Sequence, residues 1–83
     1  MKPDFIHDAI RAVEEARIAV EEAQAGNGAP DLQRANQRLQ LASQRLSAAR
    51  QQAEQTGRAM PSELERAEAM LRRLYETEQS LRL

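Results

Sequence analysis

His7 is the one imidazole in this chain, with Asp4 three residues before it and Asp8 directly after. An imidazole beside carboxylates could act as a general base or hold a metal ion. A lone histidine in the first turn of a helix is more often an exposed side chain, because a site also needs further groups held in fixed geometry around it. Acids recur as Glu14-Glu15 and Glu21-Glu22, one heptad apart, so that two carboxylate columns run along one side of a helix. Such columns hold di-metal centres when facing helices add Glu-x-x-His motifs. With no such motif here, the columns read as a solvated acidic face. Ser43, Ser47, Ser62, Ser80, Thr56 and Thr77 supply hydroxyls, yet no Ser-His-acid set follows from one histidine at the far end of the chain. Gly26-x-Gly28 is too short for a phosphate-cradling loop. The residues point away from an enzyme, and they assign no cofactor and no metal.

The remaining charged chemistry is guanidinium, since Lys2 is the single lysine among 12 lysine and arginine residues. Arg34, Arg38 and Arg45 in the middle of the chain and Arg72-Arg73 near its end could hold an anionic small molecule once brought together. That reading makes the chain a small binder or sequestering protein of phage-encoded or regulatory type. Nucleic acid is not expected as a partner, because a formal net charge of -1 lacks the positive balance that phosphate backbones require. The chain has no cysteine and no tryptophan, which removes disulfides and thiolate sites and fits a reducing, cytoplasmic setting. No apolar run approaches the ~20 residues of a membrane span. Met1-Lys2-Pro3-Asp4 lacks the apolar stretch of a secretory signal, and no membrane association is expected.

What must position these residues is a set of heptads. Ile6, Val13 and Val20 recur at every seventh position, and alanine follows three residues after each, as Ala9, Ala16 and Ala23. The middle segment repeats the scheme with Leu32, Leu39 and Leu46 against Ala35, Ala42 and Ala49, trailing off through Ala53. The last segment, Leu64, Ala67, Leu71, Leu74 and Leu81, keeps the spacing with bulkier residues, and Glu78 interrupts it. Stripes of this kind predict coiled-coil-like helices packed along one another. Gly26-Asn27-Gly28-Ala29-Pro30-Asp31 offers glycine for a left-handed helix stop and proline for the next first turn. The second break, Thr56 to Ser62, leads into Ser62-Glu63-Leu64-Glu65 with capping-box spacing and Met60 as an apolar staple. Short breaks make neighbours antiparallel. The chain is therefore expected to be all-α, one antiparallel three-helix bundle with helices at about 4–25, 31–56 and 62–82.

Charge and size order the helices. Acids dominate the first segment, arginines the second, and opposite balances favour their adjacency. Alanine columns on these two predict a close approach, with the bulkier third helix over their groove. Exposed ion pairs contribute only ~0 to 1 kcal/mol each, so they bias register while the apolar seam stabilises.

Two apolar residues miss the seam. At about 100° per residue, Ile18 lies almost opposite the Val13/Ala16/Val20 stripe and Leu41 falls well outside the Leu39/Ala42/Leu46 stripe. An antiparallel hairpin brings them to similar heights, and the helical angles leave open whether they share a face. Isolated exposed apolar residues are ordinary, and the sharper reading is a docking surface for a second copy or another helix. On the third helix Met70 and Tyr75 flank the stripe; Met70 is expected in the core, and Tyr75 could present its hydroxyl at a boundary. Leu81 and Leu83 add apolar groups at the end, which would also suit a dimer through this helix.

Ala29-Pro30-Asp31-Leu32-x-x-Ala35, the Leu-x-x-Ala heptads after it, and Thr56-Gly57 before a Leu-rich helix resemble a family of small, alanine-rich, uncharacterised cytosolic proteins from endospore-forming bacteria. The resemblance implies a short, all-helical cytosolic protein and no activity or functional residues. The leading functional expectation is a noncatalytic module that binds another protein or itself, as a homodimer for instance, through a helix face.

Overall fold

The computed structural model describes residues 4–26, 28–57 and 59–82, which form three helices: α1 (Phe5–Ala25), α2 (Ala29–Gln55) and α3 (Ser62–Arg82). Leu83, expected to add an apolar group at the end of the third helix, lies outside the described residues. All three helices pack on one another, and α1 with α2 most extensively. The order is up, down, up: Glu15 and Glu22 of α1 meet Arg38 and Arg34 of α2, and Arg50 of α2 meets Glu68 of α3. The chain is an all-α three-helix bundle.

Asp4 starts α1 as its N-cap, its carboxylate accepting from the His7 N–H at 3.0 Å. The helix stops at Gly26, which is extended (φ -91°, ψ 170°) and not left-handed as expected from its position. A Cβ there would displace the Asp31 carboxylate and stand 3.2 Å from the Glu22 carbonyl oxygen, a tight fit that glycine avoids. Pro30 is tolerated inside the first turn of α2, because its missing N–H would lack a helical partner anyway. This lets α2 begin at Ala29, two residues before the expected start. At the other end Gly57 carries φ 69° and donates its N–H to the Glu54 carbonyl, while the Thr56 hydroxyl donates to Ala53. Here the left-handed turn does require glycine.

The start of α3 also departs from expectation. Ser62 is already helical, one position past the cap, and the Pro61 carbonyl accepts from Leu64 and Glu65. No capping box forms. Met60, just before it, packs against the core.

Within the bundle the heptad columns are buried. On α1 these are Ala9, Val13, Ala16, Val20 and Ala23, widened by Ala12 and Ala19; Ile6 is only half-buried. On α2 they are Ala35, Leu39, Ala42, Leu46 and Ala49, and on α3 Leu64, Ala67, Leu71 and Leu74. Alanine on both sides of the α1–α2 seam favours close approach, and Leu39 of α2, Leu64 of α3 and Val20 of α1 are the largest fully buried side chains of the core. Met70 does not join them. It is 38% exposed, because the small-residue helices leave too narrow a groove for every apolar residue of α3. Glu78 instead occupies a stripe position at 2% exposure, its carboxylate accepting from Arg82 one turn later.

Replacing Leu39 by alanine deletes a fully buried side chain between close-packed helices and is expected to cost about 2 to 5 kcal/mol. Urea melts followed by circular dichroism check it.

Candidate functional site

The groove between α1 and α2 has two sides, and α3 covers only one. Along the other side α1 presents Asp8, Arg11, Glu15, Ile18 and Glu22 over a floor of Ala12 and Ala19, and α2 presents Arg34, Arg38, Leu41 and Arg45. Two shallow hollows lie end to end here, of ≈ 220 Å³ around Leu41 and ≈ 340 Å³ around Ile18, and Glu15 borders both. The structure therefore brings Ile18 and Leu41 to one face, which the helical angles of each segment alone left open. Ile18 is 45% exposed and Leu41 is half-buried; neither belongs to the core.

Charge on this face is ordered. Asp8, Glu15 and Glu22 follow one another at heptad spacing on α1, and Arg45, Arg38 and Arg34 run in the opposite direction on α2. Arg38 Nη1 lies 3.4 Å from Glu15 and Arg34 Nη1 3.8 Å from Glu22, while Asp8 and Arg45 border the same hollow. These are rungs across the groove. All four paired side chains are about half exposed, so each pair contributes at most about 1 kcal/mol and fixes register more than stability.

The other residues singled out by sequence lie elsewhere. Arg72 and Tyr75 border a hollow of ≈ 380 Å³ between α2 and α3, with Ser43, Ser47, Arg50 and Gln79. Tyr75 is half-buried against the core there. Thus the five candidate anion-binding arginines do not converge: Arg34, Arg38 and Arg45 share the α1–α2 face, Arg72 the α2–α3 hollow, and Arg73 borders neither hollow. The carboxylate columns of α1 are bridged by arginine, since Arg17 binds both Glu14 and Glu21, and Arg38 and Arg34 take Glu15 and Glu22. The Arg17 hydrogen bond holds the Glu14 carboxyl below its ordinary range, and the same bond raises the guanidinium.

Sequence reasoning missed a fourth hollow, of ≈ 370 Å³ and largely apolar, between α1 and α3. Ile10, Val13, Ala67 and Met70 form it, with Glu14, Glu63 and Arg66 at the rim. Ile10 was the available signal, a branched residue one turn from Ile6 and off the alanine side of α1.

His7 has a structural part. Its Nδ1 lies 2.6 Å from Asp4 Oδ2, and both side chains are exposed. The backbone hydrogen bond from His7 is the largest cause holding the Asp4 carboxyl below its ordinary value of 3.8, helped by the imidazole beside it. Among the described residues, no group of three or more His, Cys, Asp or Glu side chains is placed to hold a metal ion, and none of the helices is long and apolar enough to cross a membrane. Comparison with known proteins yields no match: no family model fits the chain, and no curated protein or solved structure is significantly similar to it.

Because the folded-state value of Asp4 is depressed, its cap is complete above the ordinary aspartate range and is lost only as pH falls through that lower value. A pH titration of the His7 amide by NMR is expected to show a midpoint below 3.8, and Asp4→Asn, which caps without titrating, should flatten it.

Proposed function

We propose that this chain is a noncatalytic helical interaction module, which joins another protein or a second copy of itself through the outer face of α1 and α2. One observation carries the reading: Ile18 and Leu41, both outside the core, share a single face that α3 leaves uncovered. Two large apolar side chains left outside the core along one groove add little to a monomer, and a partner helix would gain from covering them. The alanine floor supports the reading as well, because small residues keep the face low enough for another helix to approach closely. Arginine stems flanking the two apolar residues add further apolar surface while their heads remain hydrated.

The double substitution Ile18→Asp and Leu41→Asp tests the reading at positions where the fold gains little. Helix content by circular dichroism is expected to stay at the parent level. Immobilised parent chain should retain the same chain, or a defined protein from its source cell, and the variant should retain neither. Equal retention by both would remove this face from the function.

A further inference from the structure

The rungs across the α1–α2 groove repeat in a way that matters for what can cover it. Glu15 and Glu22 pair with Arg38 and Arg34, and Asp8 borders one hollow with Arg45. Successive acids are seven residues, or about 10 Å, apart along α1, while the arginines are seven and four residues apart, so Arg34 reaches along the groove to its acid. One edge of the face is thus mainly acidic, relieved only by Arg11, and the other edge carries three arginines. A surface split lengthwise into opposite charges is complementary to itself.

We propose that the occupant of this face is a second copy of the chain, docked about a two-fold axis parallel to the helices. The inference rests on the interaction-module reading above and names its partner. Face-to-face docking of two such surfaces allows two simple two-fold arrangements, with the axis along the helices or across them. An axis across the helices lays α1 on α1 and α2 on α2, acid upon acid and arginine upon arginine. An axis along the helices lays each α1 on the partner copy's α2 at the same height. Glu15 and Glu22 then meet the arginines of the other copy that match their own partners, Asp8 meets the other copy's Arg45 edge, and every touching pair of helices is antiparallel. Charge therefore selects the second arrangement.

The apolar residues fit it too. Ile18 lies between the rungs of Glu15 and Glu22 and would pack on the Arg34 and Arg38 stems of the other copy. Leu41 lies between Arg38 and Arg45 and would enter the gap between Asp8 and Glu15 of the other copy, over Ala12 and the Arg11 stem. The area suffices: α1 runs for 21 residues, and two adjacent helices offer a face roughly 30 Å by 20 Å before side-chain relief is counted. That approaches the ~800 Å² per partner of a standard interface. Because the rungs are exposed at the edges, the dimer should weaken as salt screens them.

Sedimentation equilibrium on the full chain, from micromolar concentrations upward, tests the arrangement. One variant carries Asp8→Arg, Glu15→Arg and Glu22→Arg; the other carries Arg34→Glu, Arg38→Glu and Arg45→Glu. The parent is expected at twice 9.4 kDa. Each variant alone should associate at least about tenfold more weakly, and an equal mixture should recover the doubled mass. If a triple variant loses its helical signal, the central pair Glu15→Arg and Arg38→Glu, used singly and mixed, reads out the same rung. A dimer unmoved by either reversal, or broken by Met70→Arg in the α1–α3 hollow instead, overturns this arrangement while leaving self-association intact. A parent that stays monomeric at every concentration overturns the second copy as occupant. The module itself falls only if retention also fails to depend on Ile18 and Leu41.

Discussion

Alanine against alanine along the α1–α2 seam is the constraint from which the other features follow. Ala9, Ala12, Ala16, Ala19 and Ala23 on one helix and Ala35, Ala42 and Ala49 on the other are all buried, so the two backbones approach more closely than Leu-lined helices could. Each alanine removes little apolar area from water, at ~25 cal/mol per Å². The seam must compensate by length and contact density, which is why it continues for just over two heptads on each helix and why Leu39, Leu46, Val13 and Val20 are interleaved with the small residues. A close seam also makes a shallow outer groove. The acids of α1 and arginines of α2 reach one another across it, and Ile18 and Leu41 remain near the surface instead of being swallowed by the core.

The same constraint shapes α3. Two narrow helices leave a limited groove, which Leu64, Ala67, Leu71 and Leu74 fill. Apolar residues beyond that number are displaced: Met70 goes to the surface and Tyr75 to the edge of the core. Glu78 is drawn into the stripe by its position in the repeat, and its charge is met by Arg82 from the next turn. A buried carboxylate there adds little to stability beyond an apolar residue of like volume, since its partner comes from the same helix.

The three helices and their buried columns were legible in the sequence because a seven-residue period leaves few other ways to bury one stripe. The partnership of α1 and α2 was legible from the opposite charge of their segments. Cap chemistry was less so. Gly26 proves extended beside Asp31, and Ser62 enters α3 because the Pro61 carbonyl already accepts its first helical hydrogen bonds; both are local choices that residue type alone does not decide. Ile18 and Leu41 could be recognised as lying off the stripe by helical angle alone. Their sharing of one face could not, because it depends on how α2 is rotated about its axis, and that is fixed by which side of the hairpin α3 occupies. The rungs were hidden for the same reason: heptad spacing is visible in each helix, and their common height is a property of the pair. Arg72 and Arg73 are neighbours in sequence, yet only Arg72 borders the α2–α3 hollow, since adjacent helical residues diverge by about 100°.

The most direct measurement is the stability of Ala16→Leu and Ala42→Leu, both at fully buried seam positions on facing helices. Leucine and alanine differ little in intrinsic helix propensity, so a change in the urea midpoint reports packing. If close approach governs the fold, each substitution should destabilise by about 1 to 3 kcal/mol through overpacking. Unchanged or increased stability would show that the seam has room for larger side chains, and the account built on its closeness would be contradicted.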